Sequence, residues 1–422
     1  KDHTATSMLS SVLSGGAVRA SRHLRHASSS AQVVVCGAGL AGASSAWHLQ
    51  RRGAQVTLVD SRPPLTATSQ YSTECYRDFF LDPALVPFMS RSVGLMEELA
   101  GNGNDINLTR RGYCFLAASE EGREAFEKFA VAASSFGAGD VRHHKTTVAE
   151  YQRSSSTGFG DGLTGFDLVY GSDNIQQIFP FVSKEAQVML HARRCGWMDS
   201  QGLGRAMLAA GGSPSICRGQ VVGLETSNDR VTSVKVQQND GQDVLLPCDA
   251  FVNSAGAWME NINQLLGGSK LPLKNEVHAK VIFNDVKGVI PETAPFMVWR
   301  DKVTMDWDQE MKEFLLELDD TETGGIVNSS SWLSPQPGGQ HLRPAGNGRV
   351  LMLWEHLHRH VPVGQEPEMP IGNFLEMYPE LCLRGLKEMV PGLECYLEDL
   401  TKDTTIDGGY YTNSLDARPL VG

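Results

Sequence analysis

A short β-branched run, Gln32-Val33-Val34-Val35-Cys36, leads without a break into Gly37-Ala38-Gly39-Leu40-Ala41-Gly42, and no other feature of the chain restricts its fold so tightly. The six residues follow the pattern G-x-G-x-x-G. Ala43 to Arg52 then reads as a helix, small residues first and Trp47, His48 and Leu49 after them, with Gly53 placed to end it. A second strand, Gln55 to Val59, ends in Asp60. Each glycine has a steric reason: Gly37 permits a tight turn, Gly39 lets the backbone approach a ligand, and Gly42 lets the helix lie close to the strand.

The start of that helix favours an anion, because its first N–H groups lack partners and the macrodipole is positive there. Gly37, Gly39, Leu40, Ala41 and Gly42 are therefore expected to cradle a pyrophosphate. Asp60, 18 residues beyond Gly42, can accept hydrogen bonds from ribose hydroxyls, with Ser61 beside it. A carboxylate at this place disfavours a 2′-phosphate, which argues against NADP. The fingerprint itself does not separate FAD from NAD.

With 422 residues, 41% of them hydrophobic, the chain can bury more than one core, and two connected domains are expected. A net charge of -12, with no Lys/Arg cluster after the first 60 residues, excludes a nucleic-acid surface. No apolar run reaches the ~18 residues of a membrane span. Eight cysteines are scattered without a C-x-x-C pair, which suits a reducing compartment.

The two ends carry their own signals. Apart from Asp2 there is no acidic residue before Asp60, and Met8 to Ser30 holds Arg19, Arg22, Arg25, His23, His26 and seven serines. Residues 1–30 read as a targeting tail, a mitochondrial transit peptide to the matrix, with a plastid address or an unaddressed basic tail left open. At the other end, Pro419-Leu420-Val421-Gly422 is strand-like where a doubly wound fold would continue, so the natural chain is expected to extend past Gly422.

Five further segments follow the glycine unit in a set order. Ala67 to Arg77 is a hydroxyl-rich loop holding Ser69, Ser72 and Thr73. Cys195-Gly196-Trp197-Met198-Asp199-Ser200 opens a helix, for which Asp199 is the expected N-cap. A hairpin, Gln220 to Leu224 with Val231 to Val236, turns at Asn228-Asp229, and Asp249 to Asn253 is a strand ending in Ala255-Gly256-Ala257-Trp258. Last comes Asp407-Gly408-Gly409-Tyr410-Tyr411-Thr412-Asn413, running on to Arg418 and Gly422.

In this order, over residues 32 to 422, the chain resembles the D-amino-acid oxidase-like superfamily of FAD-dependent oxidoreductases. That group includes sarcosine and glycine oxidase-like members and mitochondrial FAD-dependent oxidoreductase domain-containing members. The resemblance implies an α/β fold: a Rossmann-type FAD-binding domain with a second, mixed α+β substrate domain, the glutathione-reductase-like flavoprotein arrangement. The FAD domain would comprise 31–83, 196–274 and 406–422, and the substrate domain 84–195 and 275–405. Ser69, Ser72, Thr73, Val221, Ala255, Gly256, Trp258 and Arg418 become candidate FAD contacts. Monomeric sarcosine oxidase-like members carry a flavin-anchoring cysteine where this chain has Gly409, so FAD is expected to be noncovalent. The family's concluding glycine-rich loop has no counterpart before Gly422.

The resemblance implies hydride transfer from the C–N bond of a small amino acid or N-methylated amine to flavin N5, with oxygen or a quinone or protein carrier as acceptor. Because the cofactor carries the chemistry, the protein has to bind and orient. Arg77 is the candidate carboxylate clamp, its planar fork matching two oxygens, and a surface ion pair is its other reading. Tyr411 can hydrogen-bond a carboxylate or simply be a half-buried strand residue. His278 and Lys280 share one face of a strand that looks either at the flavin or at solvent. Arg418 is either a ligand contact or a turn residue. The run His356, His358, His360 lacks a cysteine or a fixed carboxylate, and no metal is assigned. Asp301 to Glu322 reads as an acidic surface helix and Gly324 to Gly348 as a long loop. A non-catalytic alternative, a mitochondrial flavoprotein assisting assembly of respiratory complex I, stays open, because fold does not decide function.

Overall fold

The computed structural model describes residues 31–155, 157–160, 162–317, 329–371, 374–398, 400 and 404–420. The targeting tail expected over 1–30 and the closing Val421-Gly422 lie outside the described residues. Strands β1 (Gln32–Cys36), β2 (Gln55–Asp60) and β3 (Cys75–Arg77) come first. Next are β4 (Tyr113–Ala117), β5 (Val141–His144), β6 (Phe166–Tyr170), β7 (Val188–Ala192) and β8 (Cys195–Trp197). A ribbon of β9 (Ser215–Ser227), β10 (Arg230–Gln238) and β11 (Asp243–Pro247) precedes β12 (Ala250–Asn253). The rest are β13 (Leu273–Asn284), β14 (Phe296–Trp299), β15 (Gln340–Gly346), β16 (Arg349–Trp354), β17 (His358–Val361) and β18 (Thr404–Ser414).

The nucleotide-type layer is a six-stranded sheet ordered β11-β10-β9-β2-β1-β12. Its centre is parallel, β1 pairing with β2 on one side and β12 on the other. A parallel strand is covered on both faces and needs apolar residues throughout. Accordingly, Val33 and Val35 pack with Ala46, Val56 and Leu58 under the helix Leu40–Gln50, while Val34 and Cys36 face Val59, Val221, Val234 and Val236. The first part of β9 runs parallel to β2, and the strand continues as an antiparallel ribbon with β10. The hairpin turns at Asn228 and Asp229, whose φ values of 51° and 58° are the left-handed pair that a two-residue turn demands.

The second layer is a ten-stranded mixed sheet, β17-β13-β16-β15-β14-β4-β7-β6-β5, with β18 pairing β13. Its main core gathers Trp332, Trp354, Tyr378, Leu383 and Met389, all buried. β18 pairs with β13 along its whole length, from Leu273↔Ser414 to Phe283↔Thr404. Val93 and Ala100, of the helix Leu85–Ala100, pack against Trp47 and Met207 of the nucleotide layer. A two-stranded patch, β3 with β8, joins the hydroxyl-rich loop to the Gly-Trp segment through Tyr76↔Gly196.

One local expectation is corrected outright. The stretch 324–348, read as loop, contains β15, which pairs with β14 and β16 inside the large sheet. Gly, Pro and the polar His341 and Arg343 hid it, although Asn347-Gly348, with φ of 56° and 68°, is a hairpin signal that marks the β15–β16 turn. The acidic segment does form a helix, Gln309–Glu317, and 318–328 lies outside the described residues.

Candidate functional site

A cavity of about 480 Å³ opens where β1, β2 and β12 end. Of the sequence candidates it is lined by Gly37, Gly39, Asp60, Ser61, Ser69, Val221, Ala255, Gly256 and Trp258. Backbone geometry explains the glycines. Gly37 has φ of 98°, and a Cβ there would lie 2.4 Å from Ser254 O. A Cβ on Gly42 would lie 1.9 Å from Gly37 O, so the helix meets the turn backbone to backbone. The helix begins at Leu40 with no side-chain cap from Gly39, and Leu40 N–H donates to Ser69 Oγ at 3.1 Å. Leu40, Ala41 and Gly42 thus build the helix end behind the cavity wall.

Asp60 is held by two backbone donors, Ala38 N–H to Oδ2 and Arg62 N–H to Oδ1, each at 2.9 Å. Across the opening, Trp258 stacks beneath the Arg62 guanidinium at 4.6 Å and donates its indole N–H to Glu366 Oε1 at 2.7 Å. Thr68 Oγ1 accepts from Tyr410 N–H at 3.0 Å, which brings β18 to the same wall. Cys36 also lines the cavity, but burial and, second, the Asp60 charge push its thiol up to about 12, so it is no nucleophile at neutral pH.

The loop after β2 holds three non-glycine residues at positive φ, Leu65 (65°), Ala67 (56°) and Glu74 (64°). Such strain persists where the surroundings over-determine the backbone, as at binding sites. Here Ser200 N–H and Arg343 hold the Glu74 carboxylate, Arg343 also holds Thr73 O, and Gln201 Nε2 holds Leu65 O at 2.7 Å. Ser72 and Thr73 lie further along this loop, outside the cavity lining. Ser72 Oγ accepts from Glu74 N–H, and Thr73 O faces Arg343.

Arg77 follows on β3, its guanidinium 4.6 Å from the Phe80 ring centroid and 5.5 Å from that of Phe79. Among the described residues it has no ion-pair partner. Lys280 is only 5% exposed, which corrects the solvated reading of its strand face. Its Nζ donates to Tyr71 O at 2.8 Å and to Asp407 of β18. Burial lowers its pKa, and Asp407 opposes that shift. His278 packs edge-on against Tyr411 at 4.5 Å and stacks on His358 at 4.8 Å. Burial, with His358 adding to it, lowers the His278 pKa, and burial of the hydroxyl raises that of Tyr411. Arg418 lies apart, its Nε donating to Asp82 at 2.8 Å on the surface.

Sequence reasoning missed Arg62, Thr68, Gln220, Ser254, Glu366 and Arg343. Arg62 directly follows Asp60-Ser61 and Thr68 sits in the quoted hydroxyl loop, so both had a local signal. Glu366 had none, since it reaches Trp258 across 108 positions.

A glycine turn, an acidic strand end and a hydroxyl loop around one cavity, beside a second, mixed sheet, define a dinucleotide-dependent oxidoreductase of the two-layer flavoprotein type. The DAO family model, described as FAD dependent oxidoreductase, matches residues 32–305, and the chain belongs to that family. Among solved structures, L-proline dehydrogenase from P. horikoshii is 18% identical, with a TM-score of 0.65 over 93% of this chain and 84% of that one. Glycine oxidase from Geobacillus kaustophilus is 15% identical, TM-score 0.63, over 93% and 85%. Iminodiacetate oxidase from Chelativorans sp. BNC1 is 18% identical, TM-score 0.55, over 92% and 86%. These likenesses are of fold. No curated protein matches the chain. Among the described residues no helix is long and apolar enough to cross a membrane.

FAD fits this site. Gly39 leaves space that a Cβ would fill 3.0 Å from Ser69 Oγ, the helix N-terminus at Leu40–Gly42 suits the pyrophosphate, and Asp60 would take the ribose hydroxyls. Val221, Trp258 and Arg62 would flank the rest.

Proposed function

We propose that this FAD-dependent oxidoreductase oxidises the C–N bond of a small amino acid or N-methylated amine, with noncovalent FAD and with oxygen or a quinone or protein carrier as final acceptor. Bound FAD supplies the two-electron acceptor, and the imine product hydrolyses in water. The observation that carries the reading is Arg77, a guanidinium with no ion-pair partner among the described residues, standing on β3 at the end of the hydroxyl-rich loop. Its planar fork suits a substrate carboxylate. Tyr411 and His278 stand on the paired strands β18 and β13, their rings 4.5 Å apart.

The related structures named above are a proline dehydrogenase, a glycine oxidase and an iminodiacetate oxidase, and those names agree with this substrate class. Gly409 has no nucleophile, and a side chain there would meet Thr68 at 3.0 Å, which supports noncovalent attachment. The basic, serine-rich segment 1–30 supports a place in the mitochondrial matrix.

Anaerobic visible spectra of the purified full chain, recorded before and after adding a panel of secondary amines and amino acids, test the reading. Flavin bands at the outset that one of these compounds bleaches are the expected result. Bands that persist throughout the panel overturn the amine reading, and a colourless protein that takes up no added FAD overturns the cofactor assignment.

A further inference from the structure

The large sheet supplies what the histidine run lacked as sequence, a carboxylate at fixed geometry. β13 and β17 are antiparallel, with Glu276 opposite His360 and His278 opposite His358. Residues two apart on a strand share a face, so Glu276, His358 and His360 project together. Glu276 Oε1 lies 3.8 Å from His358 Nε2 and 3.7 Å from His360 Nδ1, and the three ligand atoms all fall within 4.8 Å of one another. Zinc bonds of ~2.0–2.2 Å in a tetrahedron place ligand atoms about 3.3–3.5 Å apart, so the two Glu276–His edges are too long by a few tenths of an ångström and the His358–His360 edge, within 4.8 Å, has to close by about 1 Å through side-chain rotation of the exposed His360.

Two further contacts prepare the ligands. His358 Nδ1 lies 3.3 Å from Glu355 O, the backbone hydrogen bond that puts the proton on Nδ1 and leaves the Nε2 lone pair facing Glu276. Glu276 is 6% exposed, and its other oxygen accepts from Asn413 Nδ2 at 3.2 Å and faces His278 Nε2 at 3.4 Å, which fixes the carboxylate plane. His360 is 70% exposed on the strand at the end of the sheet, so an ion can enter from solvent and keep water in the remaining position. Lys274 Nζ also reaches Glu276 Oε1, at 2.8 Å, and would compete with the ion.

We propose that Glu276, His358 and His360 bind a divalent first-row transition ion of the Zn²⁺ class, at a site distinct from the nucleotide cavity. The two-histidine, one-carboxylate set leaves an open position and favours Zn²⁺ over Mg²⁺ or Ca²⁺, which prefer all-oxygen ligands.

The test is Zn²⁺ titration of the untagged, metal-stripped full chain against a chromophoric chelator. About one equivalent should bind, and His360→Ala and Glu276→Gln should each weaken it about tenfold or more. Absence of stoichiometric binding, or binding that either substitution leaves within tenfold of the unsubstituted chain, overturns the site. Should Glu276→Gln fail to fold, the exposed His360→Ala decides alone.

Discussion

Arg343 Nη2 and Glu74 Oε2 meet at 3.2 Å, joining β15 of the large sheet to the strained loop beside the cavity. The same guanidinium donates to Thr73 O at 2.9 Å, and the other Glu74 oxygen accepts from Ser200 N–H at 3.1 Å. Arg343 is 4% exposed, so its loss leaves a partly buried carboxylate without its cation. Arg343→Leu is expected to cost about 2–3 kcal/mol of stability, below the range for fully buried pairs because Glu74 keeps some solvent. FAD affinity should fall about tenfold, or ~1.4 kcal/mol, by flavin titration of the apoprotein. An unchanged affinity would show that the loop holds its shape without Arg343.

Gly42→Ala should yield protein without flavin bands, because the added Cβ would stand 1.9 Å from Gly37 O and drive the helix off the turn. Gly94, inside the helix Leu85–Ala100, is the control: its nearest neighbour to a new Cβ is Arg194 Nη2 at 3.8 Å. Gly94→Ala is expected to raise stability by about 0.5–1 kcal/mol and leave the flavin spectrum alone. Flavin retention by Gly42→Ala would contradict the close-packing argument.

Arg77→Ala separates a carboxylate clamp from a packing residue. With an amino-acid substrate, KM should rise about 10- to 100-fold, the loss of a charge-assisted bidentate contact worth roughly 1.5–3 kcal/mol. The corresponding amide or ester, which has no carboxylate, should be little affected. Equal losses for both would reduce Arg77 to its contacts with Phe79 and Phe80.

Asp78 gives the fold a pH signature. It is 4% exposed, and burial pushes its carboxyl from 3.8 up to about 6, with Arg194 opposing. The folded chain therefore holds this proton more tightly than the unfolded one. The stabilisation is complete below about pH 4 and is lost as pH rises to about 6. Replacement by Asn removes the ionisation, and the stability difference between pH 4 and pH 7 should change by up to about 3 kcal/mol. Chemical denaturation of both proteins at the two pH values measures it, and identical pH profiles would refute the assignment.

The nucleotide unit was legible because everything that makes it is contiguous: three glycines whose spacing is a steric requirement, and an acid one strand later. Arg343 was not, since its partner Thr73 lies 270 positions away and its strand was masked by Gly and Pro. Whether Lys280 looks at the flavin or at solvent stayed open in the sequence because Asp407, which allows its burial, arrives from β18, 127 positions on. The metal ligands failed for the same reason. The spacing of His358 and His360 was visible, but antiparallel pairing had to bring Glu276 beside them.

Thr68 lines the cavity and accepts a hydrogen bond from Tyr410 N–H of β18 behind it, although 342 positions separate the two. A ribosome therefore releases the glycine turn early and the strand that backs Thr68 much later. Through most of synthesis the nascent chain presents an open, half-built nucleotide groove, and β13 waits without its full-length neighbour. Contacts this distant in sequence form slowly. The interval before release of residues 404–414 is when the unpaired edge of β13 is open to misassociation.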